Sequence, residues 1–257
     1  MTKILIPIET SIGERRVSAT PETVKKLKNL GCDVYIEKSA GELSGFKDFS
    51  YEESGGIIFT QKDFNHWKDI DVIFCIHCPD YEKLNKLKEG CLIIGLLNPF
   101  GNKDLAKILS DLKLSAIALE LLPRISRAQS SDVLSSQANI AGYKSVLLAA
   151  SELDRYFPML MTAAGTVQPA KVVVLGGGVA GLQAVATAKR LGALVFVSDI
   201  RPAVKEQVES LGAKFINLPE IDEKPSESGG YAKAVSTKFL EEQRVILSKH
   251  LSEADVA

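Results

Sequence analysis

Residues 171–199 constrain this chain more than any other stretch. Lys171 to Leu175, KVVVL, is a short apolar run that reads as a buried strand. It leads directly into Gly176-Gly177-Gly178-Val179-Ala180-Gly181, which has the spacing G-x-G-x-x-G with Gly176, Gly178 and Gly181 as its glycines. A helix is expected over Leu182–Leu191, stopped by Gly192, and a second strand over Ala193–Ser198, ending at Asp199. Strand, glycine turn, helix, strand and acid in that order specify a βαβ unit that binds a dinucleotide. Each position has a physical role. Gly176 permits the tight turn, Gly178 lets the backbone approach a pyrophosphate, and Gly181 allows close helix–strand packing. The helix start supplies unpaired N–H groups and the positive end of a dipole. Asp199 can accept hydrogen bonds from the adenosine ribose hydroxyls. Its charge should repel a 2′-phosphate, so NAD(H) is expected over NADP(H). Arg201, two residues on, pulls the other way, because an Arg there can accommodate a phosphate.

The rest of the chain supports an α/β reading. KILIPIE (3–9) reads as a strand, and Thr20-Pro21-Glu22 as a helix start with Val24, Leu27 and Leu30 on one face. Further strands are expected at 33–37, 56–60, 71–77, 91–96 and 114–119, with helices at 81–88 and 103–112. Near-continuous apolar strands alternating with helices mean parallel sheets covered on both faces. The stretch 122–137 is polar and rich in Ser and Arg. A long helix from about Ser135 to Phe157 follows, with Ile140, Tyr143, Val146, Leu147 and Ala150 on one face, then a loop over 159–169. After the fingerprint, a helix at 202–211 and a strand at 213–216 continue the alternation, and Asp222 to Gly230 is a polar loop. The expected architecture is two Rossmann-like doubly wound parallel-sheet domains, 1–134 and 135–257, with a cleft between them.

Composition narrows the function. The 257 residues carry 31 Lys+Arg against 32 Asp+Glu, a formal charge of −1, which removes any broad electrostatic reason to bind nucleic acid or an anionic surface. No apolar run approaches the ~20 residues that span a bilayer, and the start lacks a secretory pattern, so a cytoplasmic location is expected. Of the four cysteines, Cys75 and Cys78 have CxxC spacing. They sit in or beside an apolar strand, where residues three apart face opposite ways, so plain buried cysteines are expected and no metal site. His77 is likewise read as a core residue.

Two segments carry a resemblance to a known family. PRISRAQSSDVLSSQANIAGYKSV (123–146) and VVVLGGGVAGLQAVATAKRLGA (172–193) closely resemble the NAD(H)-binding domain of proton-translocating nicotinamide nucleotide transhydrogenases. ERRVSATPETVKKL (14–27) and VSDIRPAVKEQVESLGAKF (197–215) match signatures shared with alanine dehydrogenases. The resemblance implies a homodimer that binds NAD(H) and exchanges hydride with NADP(H) on a partner subunit. It further implies membrane-embedded subunits that couple the exchange to proton movement, and so peripheral association with the inner membrane. It places Arg124, Gln129, Asp132 and Ser135 at the nicotinamide-ribose end, as the groups that serve catalysis. It adds Ile125, Ser126, Val179, Ala180, Ile200, Arg201, Gly230 and Gln243 as cofactor contacts, and Tyr231 as the aromatic of a loop that closes over the nucleotide. These side chains suit such a role, because hydride exchange between two nicotinamides needs no general acid or base, only two rings held in a near-attack geometry.

The same resemblance implies that the second domain is incomplete. Family members continue into a further strand and a Thr-Ala-Leu-Ile-Pro-Gly loop, whereas this sequence reaches Asp255-Val256-Ala257 where that strand would begin. Completion by another polypeptide is one expectation; a fragment, or a non-catalytic NAD-binding remnant, is the other. An amino-acid dehydrogenase like alanine dehydrogenase is the nearest rival. That chemistry needs a Lys near Cys75 and a His after 91–96, where this chain reads Leu97-Asn98-Pro99-Phe100. Only Arg16 of that set remains.

Overall fold

A computed structural model describes residues 1–62, 64–219 and 237–257, and the chain divides into two compact units, 1–132 and 133–257. In the first, β1 (Lys3–Ile6), α1 (Pro21–Asn29), β2 (Asp33–Glu37), α2 (Asp48–Glu53) and β3 (Ile57–Phe59) come first. Then follow β4 (Val72–His77), α3 (Tyr81–Leu84), β5 (Leu92–Leu96), α4 (Lys103–Asp111) and β6 (Ser115–Ala118). The six strands form one parallel sheet in the order β3-β2-β1-β4-β5-β6. The strand order reverses between β1 and β4, which makes the crevice beyond their C-terminal ends the switch point of this sheet.

Local chemistry explains these elements. Thr20 caps α1 by accepting from the Thr23 N–H, Pro21 occupies the first turn, and Gly31 leaves the helix at φ +82°. Asp80 caps α3 and Asn102 caps α4 in the same way. Alternation along β1 sends Leu5 into one apolar cluster with Trp67, Ile73, Ile93 and Leu105, and Ile4 and Ile6 into another with Val24, Val34, Ile36 and Tyr51. Both faces of the sheet are therefore apolar, as a covered parallel sheet requires.

In the second unit, α5 (Val133–Glu152) precedes a hairpin of β7 (Leu160–Thr162) and β8 (Gly165–Val167). Then come β9 (Lys171–Leu175), α6 (Val179–Arg190), β10 (Leu194–Ser198), α7 (Val204–Ser210), β11 (Lys214–Phe215) and α8 (Thr237–Leu251). The parallel sheet runs β11-β10-β9. Val256 adds a parallel bridge to Val172 on the outer side of β9, where its carbonyl accepts from the Val173 N–H. The core of this unit brings together Val172, Val185, Val195, Val197 and Val208 with Val146 of α5. No helix among the described residues is long and apolar enough to cross a membrane.

Several expectations need correction. The helix expected over 81–88 ends at Leu84, because the following residues close 3-10-type turns instead. The loop expected over 159–169 holds the β7–β8 hairpin, and α2 forms where the sequence pattern suggests no element. Leu30 caps α1 and is exposed rather than facing the core. The face expected for α5 is also different. Val146 is buried, but Ile140 and Tyr143 are 58% and 48% exposed, while Gly142 is buried. A glycine, not a large side chain, sets how α5 packs.

Candidate dinucleotide site

The turn after β9 is shaped by backbone contacts. Gly176 stands at φ +98°, in the left-handed region that favours glycine, and its N–H donates to the Ser198 carbonyl at 2.7 Å, tying the turn to the end of β10. Gly178 is extended and is the N-cap of α6, with no side chain capping the helix. No atom lies within 4 Å of where a Cβ on Gly178 would stand, so its backbone is approachable. At Gly181 a Cβ would run into the Gly176 carbonyl, so this glycine permits helix and turn to touch. The helix starts at Val179, three residues ahead of expectation, so Val179 and Ala180 form its first turn rather than a loop. Their amides join those that a helix start leaves without an intrahelical partner, a set that suits phosphate oxygens.

Asp199 closes the turn from the other strand. Its side chain is 6% exposed, and Oδ2 accepts from the Gly177 N–H at 2.7 Å. Arg201 grips both oxygens: its N–H and Nε reach Oδ1 at 2.8 and 3.0 Å, and Nη2 reaches Oδ2 at 2.9 Å. Burial pushes this carboxyl up, but the Arg201 guanidinium and the two backbone N–H groups together hold it below the usual carboxylate range. Asp199 is thus ionised at neutral pH and fixed in orientation. Ile200, between the two, is half-buried.

The structure gathers Gly176, Gly178, Val179, Ala180, Gly181, Asp199, Ile200 and Arg201 around this one turn. A second group stands on the first unit. Arg124 and Ile125 lead into a 3-10 segment, Ser126–Ser131, that carries Ser126 and Gln129 and ends at Asp132, whose N–H donates to the Gln129 carbonyl at 3.2 Å. Arg124, Ile125, Ser126 and Gln129 are exposed and Asp132 is half-buried. The polar stretch thus holds a 3-10 segment over Ser126–Ser131. Ser135 lies in the first turn of α5 and Gln243 is half-buried on α8. Gly230 and Tyr231, with the 222–230 stretch, lie outside the described residues.

One contributor is missing from the sequence reading. A Cβ on Gly142 of α5 would meet the Ala180 carbonyl, inside the glycine fingerprint. Asn139, one turn earlier, donates to Gln183 of α6 at 3.1 Å. The backbone of α5 thus lies directly on the first turn of α6. An isolated glycine within a helical pattern is the signal that could have found it.

The first unit's switch point carries a different set. Glu9 accepts from the Ile76 and His77 N–H groups at 2.6 and 3.1 Å. Glu14 grips the Arg16 guanidinium through both oxygens, at 2.8 and 2.6 Å, and meets His77 Nε2 at 2.9 Å. The Arg16 guanidinium, with lesser help from His77, outweighs burial and holds the Glu14 carboxyl down at about 2. His77 is 42% exposed and so is not the core residue expected. Cys75 is buried and Cys78 half-buried; burial pushes both thiols up, and neither forms a disulfide.

Residues 5–141 match the family model "Alanine dehydrogenase/PNT, N-terminal domain" and residues 145–257 match "Alanine dehydrogenase/PNT, C-terminal domain". The chain is 45% identical over 261 residues to the first part of the NAD(P) transhydrogenase alpha subunit of Rhodospirillum rubrum, covering 99% of this chain and 68% of that relative. A solved transhydrogenase from Sinorhizobium meliloti aligns with a TM-score of 0.85 at 44% identity, over 99% of this chain and 68% of that one. A solved L-alanine dehydrogenase aligns with a TM-score of 0.72 at 29% identity, over 83% of this chain and 60% of that one.

Two outcomes are expected. Gly142→Ala forces α5 away from the Ala180 carbonyl and should cost about 1–3 kcal/mol, as overpacking of a tight contact does; an unchanged urea midpoint would contradict the close approach. For Glu14, the folded pKa of about 2 lies below the ordinary 4.5. Its stabilisation is therefore present above 4.5 and is lost as the pH falls towards 2. Glu14→Gln should lower stability at pH 7, with the gap to the parent closing across that acid window. A gap that stays constant with pH would show that the Arg16 pairing contributes nothing.

Proposed function

The chain belongs to the alanine dehydrogenase/PNT family, among its transhydrogenases, and we propose that it is the NAD(H)-binding subunit of a proton-translocating transhydrogenase. The observation that carries this reading is the glycine turn with its open Gly178 backbone and the ionised Asp199 beside it. The turn's amides and the helix start receive the pyrophosphate, and Asp199 receives the adenosine ribose hydroxyls. Val179, Ala180, Ile200 and Arg201 line the same end, and Gln243 is a further contact. Arg124, Ile125, Ser126, Gln129, Asp132 and Ser135 serve the nicotinamide-ribose end, where Gln129 can pair with the carboxamide amide to amide. Gly230 and Tyr231 join the cofactor contacts in this reading.

When bound, the dihydronicotinamide supplies a hydride from its C4 carbon. C4 of an oxidised nicotinamide, that of NADP⁺ on a partner subunit, would receive that hydride with its electron pair, and the reverse exchange would balance in the same way. No proton moves at either carbon, so this chain's residues act by binding, orienting and excluding water. Membrane subunits couple the exchange to proton translocation, and this chain works as a homodimer peripheral to them in the cytoplasm.

The amino-acid dehydrogenase alternative fares worse on the first unit's chemistry. No Lys stands around Cys75 and no His in Leu97-Asn98-Pro99-Phe100, where the resemblance to alanine dehydrogenases calls for them, and the remaining Arg16 is held by Glu14 through a two-point ion pair.

Fluorescence titration tests the cofactor reading. NADH should bind saturably and more tightly than NADPH; equal affinity for the two would contradict it. In the assembled enzyme, Asp132→Asn should slow hydride transfer by about ten-fold or more, as loss of a positioning group does, while NADH affinity changes much less. An unchanged rate would remove the 124–135 segment from the mechanism.

A further inference from the structure

The Asp199 carboxylate already has a full set of donors. Oδ1 accepts from Arg201 N–H and Nε, and Oδ2 from Gly177 N–H and Arg201 Nη2. An ionised carboxylate offers about four acceptor positions. A ribose diol can bond to Asp199 only where one of these donors gives way. Two of them are backbone amides fixed by the turn. The other two belong to the Arg201 guanidinium, on a side chain that is 26% exposed against 6% for Asp199 and is not fixed by the turn's backbone.

We propose that Arg201 is a specificity-determining residue: its guanidinium competes with the adenosine ribose for Asp199 and, by cancelling that carboxylate's charge, sets how strongly a 2′-phosphate is turned away. The proposal rests on the reading that this turn binds NAD(H). Two effects follow from one ion pair. The fork must open before the ribose hydroxyls reach Asp199, so some of the NADH binding energy goes into breaking it. With the fork closed, a 2′-phosphate meets a compensated carboxylate, so discrimination against NADPH is weaker than Asp199 alone would impose. Lys cannot reproduce the fork but keeps the positive charge, which separates the two effects.

Titration of NADH and NADPH against the full chain and two variants tests this. Arg201→Met removes fork and charge: NADH should bind about three-fold tighter and NADPH weaker, raising the NADPH-to-NADH ratio of dissociation constants by about ten-fold, the scale of a partly exposed charged pair. Arg201→Lys should also tighten NADH, by about the same factor, but leave NADPH close to the parent. Either variant alone decides the matter if the other fails to fold. A ratio unchanged in the variant, or NADH weakened by Arg201→Met, would overturn the proposal, because Arg201 would then hold the cofactor more than it competes with it. Should the parent chain bind NADH while the ratio stays fixed, only this proposal falls. If the parent binds no NADH, the reading of the site falls and takes the proposal with it.

Discussion

Backbone lying on backbone is the constraint from which the second unit takes its shape. Gly181 rests against the Gly176 carbonyl, and Gly142 rests against the Ala180 carbonyl. Neither position tolerates a side chain, because interiors are packed too densely for a methyl group to be absorbed without movement. The first contact sets the angle at which α6 leaves β9. The second sets α5 on the same turn. Between them they bring α5, α6 and the glycine turn into contact, and Asp199 ties that turn to the end of β10 through the Gly177 N–H.

That close packing suits the hydride exchange proposed for this chain. Such a reaction asks for no proton at the reacting carbon, so the protein's contribution to it is geometric. A site of this kind gains from anchoring the unreactive half of a dinucleotide firmly. The Asp199–Arg201 pair adds a second layer to the proposed site, because a carboxylate that is already engaged by a guanidinium can take on a ribose only by exchange of partners.

Much of this is legible in the amino-acid order where the determinants are local. β2 and β9 have the bounds that apolar alternation and flanking glycines imply, and Gly176 takes the left-handed conformation its place in the motif demands. What escapes the sequence depends on partners far along the chain. Gly142 stands out only as a glycine inside a helical pattern, and its partner is not identified until Ala180 is brought against it. His77 looks like a buried strand residue until the chain returns Glu14 to its ring across 63 residues. The β7–β8 hairpin turns through Ala163 and Ala164, which carry none of the Asn-Gly or Asp-Gly signal that marks tight hairpins. The helix over 81–88 is shorter than its pattern suggests for a local reason: lysine spacing suits a helix, but the chain closes 3-10-type turns after Leu84.

Whether one dinucleotide reaches both groups can be read from backbone amide resonances of the isotope-labelled chain as NAD⁺ is added. Saturable shifts are expected at Gly177, Gly178 and Val179 together with shifts at Arg124 and Gln129, all on one binding curve. Shifts at the glycine turn with none at Arg124 and Gln129, or a separate curve for each group, would contradict it.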